Sequence, residues 1–235
     1  MKTIIMNQFL YVLCMIGLIC HEASGFSGKN SMKSTVSAMC PQQLEFSATT
    51  IPGMEAVLAQ EVEQLKDVSS VSISNNRVDF VGTERTGFEA LLWLRTSLKL
   101  FEKLADSQKD HSIRNPADLY DLVSGLDWTR MIDPTEHTIK CDFSLGHNNP
   151  PDLTHSHYSA LTMKNAIVDK FRNKLKIRPS IDTENPTLVV YGYMHKGRMW
   201  LYRVWSGEQS MHKRGYRKDS IIHKAALRET TAAGM

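Results

Sequence analysis

The sequence predicts an α+β protein, and three observations carry that prediction. Apolar residues alternate at period two in some runs and at helical spacing in others, and the runs follow in the order β-α-β-β-α-β and then α-β-α-β-β. The first six elements have the ferredoxin-like order. No Gly/Pro-rich linker and no internal repeat separates the two sets, so they read as one interlocked unit.

Each element has a local cause. "LEFSATT" from Leu44 is strand-like, and "IPGMEAVLAQEVEQL" opens a helix with Pro52 at a tolerated position. Met54, Val57, Leu58, Val62 and Leu65 form its apolar stripe, with Glu55, Glu61 and Glu63 off it. "VSSVSISNNRVDFVG" alternates on both sides of Asn75-Asn76, a hairpin turn pair. "TGFEALLWLRTSLKLF" has Phe88, Leu91, Leu92 and Leu98 at helical spacing, and a short strand is expected near Leu100 to Leu104. Asn115 and Pro116 form a cap and first turn for "NPADLYDLVSG". "HTIKCDFSL" is a half-buried strand with Ile139, Cys141 and Phe143 inward. In "HYSALTMKNAIVDKFRNKL" Leu161, Lys164, Ile167, Val168 and Phe171 gather on one face, leaving Lys170, Arg172 and Lys174 to solvent. "TLVVYGYMHKGRMWLYRVW" is a second hairpin around His195-Lys196-Gly197.

The first 43 residues stand apart. "FLYVLCMIGLIC" is a run of twelve apolar residues behind Lys2, and Ala23 and Gly25 suit signal-peptide cleavage, which gives a signal peptide over 1–25. Residues 26–43 are rich in Ser, carry Lys29 and Lys33 and have no acid, a transit-like composition. With Phe26 directly after the cleavage site, the pair resembles the two-part leader of algae whose plastids lie inside the endomembrane system. A plastid destination is therefore expected, with no membrane contact after leader removal. A start at Met32 or Met39 gives a cytoplasmic protein instead. Cys40 and Cys141 alone lie beyond the signal peptide and support neither a disulfide framework nor a zinc site.

Charge marks a partner. The chain has a formal net charge of +3, but residues 186–235 carry nine Lys+Arg against three Asp+Glu, while residues 44–185 carry sixteen against twenty-one. Two basic surfaces result: Lys164, Lys170, Arg172, Lys174, Lys176 and Arg178, and then Lys213, Arg214, Tyr216, Arg217 and Lys218. Several cations on one side of a small domain are what phosphate neutralisation requires, and a ring among them can stack or pack, so structured RNA is the expected partner. Other motifs carry less. "NNPPD" has an aspartate where amine-methylating enzymes place an aromatic ring, and His147, His155 and His157 lack a matched second metal motif. The sequence contains no G-x-G-x-x-G, Walker or G-x-S-x-G pattern, and no catalytic or metal site is expected in it.

The runs "FSATTIPGMEAVLAQEVEQL", "ALLWLRTSLKLF", "MKNAIVDKFR", "RPSID" and "SGEQSMHKRGYR", followed by "ALRETTAAGM", resemble the N-terminal part of bacterial 23S rRNA guanine-N(2) methyltransferases of the RlmL type. The resemblance covers Leu44 to Met235. It implies a ferredoxin-like domain (44–87, in part) interlocked with an RNA-binding THUMP domain (88–204), then a linker and the first helix of a Rossmann-like methyltransferase domain (205–235). It implies S-adenosylmethionine as cofactor of the full-length family, with no cofactor site in this chain. Large-subunit rRNA is the expected partner, and a methyltransferase domain follows downstream or on a separate chain. Ala226 stands where the family has a proline. A stand-alone, non-catalytic THUMP adaptor and an arm of a tRNA-modifying enzyme remain as alternative readings.

Overall fold

A computed structural model describes residues 42–107, 113–213 and 226–235. The ferredoxin-like half runs β1 (Leu44–Thr49), α1 (Glu55–Glu63), β2 (Ser70–Ser74), β3 (Arg77–Gly82), α2 (Glu84–Trp93) and β4 (Lys99–Asp106). The second half runs α3 (Pro116–Gly125), a 3-10 turn (Trp128–Arg130), β5 (Thr138–Leu145), α4 (Ser156–Leu175), β6 (Ser180–Ile181), β7 (Leu188–His195) and β8 (Arg198–Val204). A second 3-10 turn (Met211–Lys213) and α5 (Glu229–Gly234) follow.

All eight strands lie in one sheet, ordered β2-β3-β1-β4-β8-β7-β5-β6. The first four have the ferredoxin-like order. β4 pairs antiparallel with β8, so the halves share one hydrogen-bonded ladder. β5 runs parallel to β7 and β6, with α4 as the crossover that parallel neighbours need. At the seam a bulge between Lys103 and Ala105 inserts one residue into β4 and sets Asp106 opposite Trp200.

The helices cover one face. Phe46, Ala48, Val78, Phe80 and Leu100 point from the sheet into a core with Leu58, Val62 and Ala90. Ile139, Phe143, Val190, Met194 and Leu201 point the same way into a second core with Leu119, Val123, Met163, Ile167 and Phe171. Register makes these one face, because Phe46 stands opposite Glu102, Glu102 opposite Arg203, and Arg203 shares its side of β8 with Leu201. The opposite face carries Ser47, Asp79, Phe101, Lys103, Tyr191, Tyr193, Trp200 and Tyr202.

Both hairpins form as their turn residues require. Asn76 sits at φ 60°, and Lys196 and Gly197 sit at 52° and 73°. Asn115 caps α3, accepting from the Asp118 amide, while the Asp118 side chain accepts from the Asn115 amide.

Three expectations are corrected. α1 starts at Glu55, and Pro52 belongs to the preceding turn. α2 stops at Trp93 instead of running to Phe101, so Leu98 lies outside it and β4 is longer than expected. The stop is long-range: the Glu61 carboxylate accepts from the backbone amides of Arg95 (3.0 Å) and Thr96 (3.1 Å) and from the Thr96 hydroxyl (2.9 Å). Leu161 is exposed, and Met163 and Ala166 take the core positions on α4 instead.

Gly192 shows how tightly α4 meets the sheet. A Cβ there would lie 2.5 Å from the Phe143 ring and 2.8 Å from the Met163 sulfur. Gly192→Ala is expected to cost about 1–3 kcal/mol through overpacking, read as a lowered urea midpoint with unchanged m.

Candidate nucleic-acid interface

The first basic surface is built on the last two turns of α4. Ile167, Val168 and Phe171 anchor that helix to the sheet, and it packs beside α3. Tyr120 of α3 donates to Asp169 of α4 at 3.1 Å, and burial first and Asp169 second push its phenol pKa upward. Lys170 and Lys174 lie one turn apart and line a groove with Asn173 of α4 and Tyr120 and Ser124 of α3. Arg172 lies on another side of the helix, because two residues turn an α-helix by roughly 200°. The predicted surface therefore divides into a grooved side with two lysines and an outer side with one arginine.

The chain continues with Lys176, left-handed at φ 60°, and Arg178, both exposed. Leu175 and Ile177 line a second groove whose other wall is the segment from Thr129 to Thr135, including Arg130. Trp128 holds this segment in place, fully buried and donating from Nε1 to the Val123 carbonyl at 2.7 Å. Arg130 thus joins the cationic end of α4. Composition does not flag it, since it is a lone arginine in "DWTRM" displayed only because Trp128 is anchored.

Two of these cations hold partners within the chain. Lys174 Nζ donates to Asp127 Oδ1 at 2.9 Å and to the Thr129 hydroxyl at 2.8 Å, and Arg172 lies 3.5 Å from Asp169. The Thr129 hydroxyl first, and the Lys174 bond second, hold the Asp127 pKa below the usual carboxylate range, so this pair is charged at neutral pH. Both pairs are solvent-exposed, and such pairs stabilise by about 0–1 kcal/mol, which an incoming phosphate can replace. Arg172 and Lys174 also sit in the last turn, where the helix dipole favours positive charge.

Lys164 is different. It is half-buried two turns earlier, and its charge acts on the Cys141 thiol of β5. Of the second predicted surface, Lys213 is exposed on a 3-10 turn whose Met211 amide donates to the Leu98 carbonyl, against the ferredoxin-like half. Arg214, Tyr216, Arg217 and Lys218 lie outside the described residues.

The discounted motifs resolve as structure. Asn149 donates from Nδ2 to the Gly146 carbonyl at 2.8 Å, closing the β5–α4 turn, and His155 and His157 pack edge-on against Tyr158. Among the described residues, no three His, Cys, Asp or Glu side chains gather to hold a metal, and no helix is long and apolar enough to cross a membrane.

A ferredoxin-like half and a βαβ-containing half fused in one sheet, with a cationic helix end on the covered face, define a ferredoxin-like plus THUMP module. Comparison with known families agrees: residues 45–100 match the RlmL ferredoxin-like domain and residues 114–204 match the THUMP domain. The chain belongs with the N-terminal region of the RlmL-type proteins. It is similar to the ribosomal RNA large subunit methyltransferase K/L of Hydrogenovibrio crunogenus, 33% identical over 193 residues, which cover 81% of this chain and 24% of that protein. It is also similar to an RNA methyltransferase candidate of Synechocystis sp., 33% identical over 202 residues, covering 83% of this chain and 50% of that protein. The chain thus spans between a quarter and a half of these relatives. Among solved structures, a Listeria monocytogenes protein named as a predicted N6-adenine-specific DNA methylase has the same fold, with TM-score 0.68, 20% identity and coverage of 82% of this chain and 47% of that one. A methyltransferase candidate solved with SAH follows, with TM-score 0.64, 22% identity and coverage of 83% and 48%.

Cys141 gives a check on this side of the sheet. Burial first and Asp142 second push its thiol pKa up to about 12, against a smaller downward pull from Lys164. At pH 8 the group is therefore a protonated thiol in the folded protein. Alkylation of the Cys141 peptide by iodoacetamide at pH 8, followed by mass spectrometry, is expected to be slow when folded and fast in denaturant.

Proposed function

We propose that this chain is the RNA-gripping arm of an S-adenosylmethionine-dependent large-subunit rRNA methyltransferase, and that the cationic end of α4 is its grip on phosphates. The observation that carries the reading is the placement of Lys170 and Lys174 in one groove and Arg130 in the next, with Lys176 and Arg178 exposed on the chain that leaves α4. Phosphate oxygens entering those grooves displace Asp127 and Asp169 from Lys174 and Arg172, so binding exchanges weak internal pairs for stronger contacts to a polyanion. Lys213 adds a cation beside the ferredoxin-like half, and Arg214, Tyr216, Arg217 and Lys218, which follow it in sequence outside the described residues, are taken as part of a second contact. The relatives' names support large-subunit rRNA as the target, and guanine as the methylated base rests on the sequence resemblance alone.

The methyl donor would bind elsewhere. The sequence has no G-x-G pair to bring backbone against a nucleotide, and beyond the THUMP half the described residues supply only the 3-10 turn at Met211–Lys213 and the short helix α5. The described residues build no site that fits S-adenosylmethionine, and the role we assign them is to bind and orient RNA. Residues 1–41 lie outside the described residues. We take their signal-like and transit-like composition as a plastid leader.

Two experiments test these readings. Lys170→Glu, Arg172→Glu and Lys174→Glu combined should leave the circular dichroism spectrum unchanged. They should make the plot of log affinity for an rRNA fragment against log salt shallower by about two, at roughly 0.7–0.9 per lost phosphate contact. An unchanged slope removes the assignment. Separately, a fluorescent fusion of residues 1–45 is expected to localise to plastids, and diffuse cytosolic fluorescence refutes the leader.

A further inference from the structure

The uncovered sheet face carries, at the tip of the β7–β8 hairpin, a row of flat groups that neither the core nor the α4 grip uses. Tyr193 and Trp200 stand opposite each other in register and are near-parallel, with centroids 5.8 Å apart and planes at 24°. His195 continues the row behind Tyr193, at 6.5 Å and 5°. Arg198 closes it, its guanidinium 4.8 Å from the centre of the Trp200 ring. All four are partly or fully exposed.

Every member is held. Arg198 bonds to both oxygens of Asp106, through Nε at 2.8 Å and through its terminal nitrogen at 2.5 Å. The His147 amide donates to His195 Nδ1 at 3.3 Å, which fixes the orientation of the ring. Gly146 lies flush against both rings, since a Cβ there would come within 2.7 Å of His195 Nδ1 and 3.0 Å of the Tyr193 hydroxyl. A glycine at this point lets the backbone buttress the row without displacing it. Rings fixed this way lose little entropy when a ligand stacks on them.

Charge selects the ligand. The hairpin from Leu188 to Val204 carries no carboxylate, and Lys196, Arg198 and His195 stand at its tip. Lys196 projects from the tip beside the row, and Asp106, the acid that meets the row, is taken by Arg198. Flat aromatic and guanidinium faces with an exposed lysine at their margin suit the unpaired bases and phosphates of a single strand better than a duplex, whose bases already stack on one another. A protein surface would instead favour paired charges around an apolar centre, which lies further along this face at Phe101, Tyr191 and Tyr202.

We propose that Tyr193, His195, Arg198 and Trp200 form a stacking platform for one or two unpaired nucleotides. The proposal rests on the RNA reading above and extends it to the opposite face: a duplex held at the α4 end sends a single-stranded extension around the β5–α4 turn to the hairpin tip. The two sites are about 23 Å apart along β7, from seven strand steps of roughly 3.3 Å.

The test uses the full chain and three RNAs: a blunt duplex, the same duplex with a ten-nucleotide single-stranded overhang, and the ten-nucleotide strand alone. The proteins are the wild type, Tyr193→Leu with Trp200→Leu, and Lys170→Glu with Lys174→Glu. Leucine keeps apolar bulk on the strands, and thermal melts confirm folding. The overhang is expected to tighten wild-type binding about ten-fold over the blunt duplex. The ring variant should abolish that advantage and weaken single-strand binding, with blunt-duplex affinity unchanged. The lysine variant should do the reverse, weakening duplex binding and sparing the single strand. An overhang advantage that survives the leucine substitutions, or that the wild type never shows, overturns the platform. Loss of duplex specificity alone, with ring-dependent single-strand binding intact, overturns the α4 grip and leaves the platform standing.

Discussion

The pairing of β4 with β8 is the constraint on which the rest depends. It joins strands about a hundred residues apart in sequence into one ladder, and it forces both sets of helices onto the same side. Neither half closes its own sheet without the other: β4 would be an unprotected edge, and β8 would end the second half with its amides bare. Buried polar groups reinforce the seam. The Trp205 indole donates to Glu102 at 2.6 Å across it, Arg203 stands 3.7 Å from the same carboxylate, and the Ser107 hydroxyl accepts from the Met199 amide at 2.7 Å. A two-domain description is therefore one of ancestry and family matching, while mechanically there is one body.

That single body separates two kinds of surface. Where the helices lie, the last turn of crossover α4 meets the 3-10 turn at Trp128–Arg130, and its polar side chains and those that follow it face solvent. Lysines and arginines accumulate there at no packing cost. Where no helix lies, aromatic side chains cover the backbone of the strands, and ion pairs such as Arg77 with Asp79 and Lys140 with Glu208 cover the margins. Electrostatics and stacking are thereby assigned to different ends of the same sheet.

Much of this was legible in the residues themselves. Asn75-Asn76 and Lys196-Gly197 announced both hairpins, because the turn geometry needs residues that accept positive φ. Asn115-Pro116 announced α3 through its cap. The end of α2 was not legible, since Leu94 and Leu98 keep helical spacing and the group that stops the helix, Glu61, sits on another helix. β6 is two residues long and exists only as an addition to the edge of β5. The cations of α4 could be counted from the sequence, but their distribution around the helix and their engagement with Asp127 and Asp169 could not. The Tyr193–Trp200 pair depends on strand register, a property of the folded ladder.

The bulge in β4 carries a consequence for how such a module can diverge. With the extra residue between Lys103 and Ala105, Asp106 comes level with Trp200 and reaches Arg198; in an unbroken ladder Ala105 would take that place. Loss or gain of one codon there would slide a single carboxylate by one step along its neighbour and release the guanidinium from its tether. The seam therefore works as a vernier, through which an insertion or deletion far from any ligand resets the stiffness and charge of a distant hairpin tip while the cores on the other side of the sheet keep their packing.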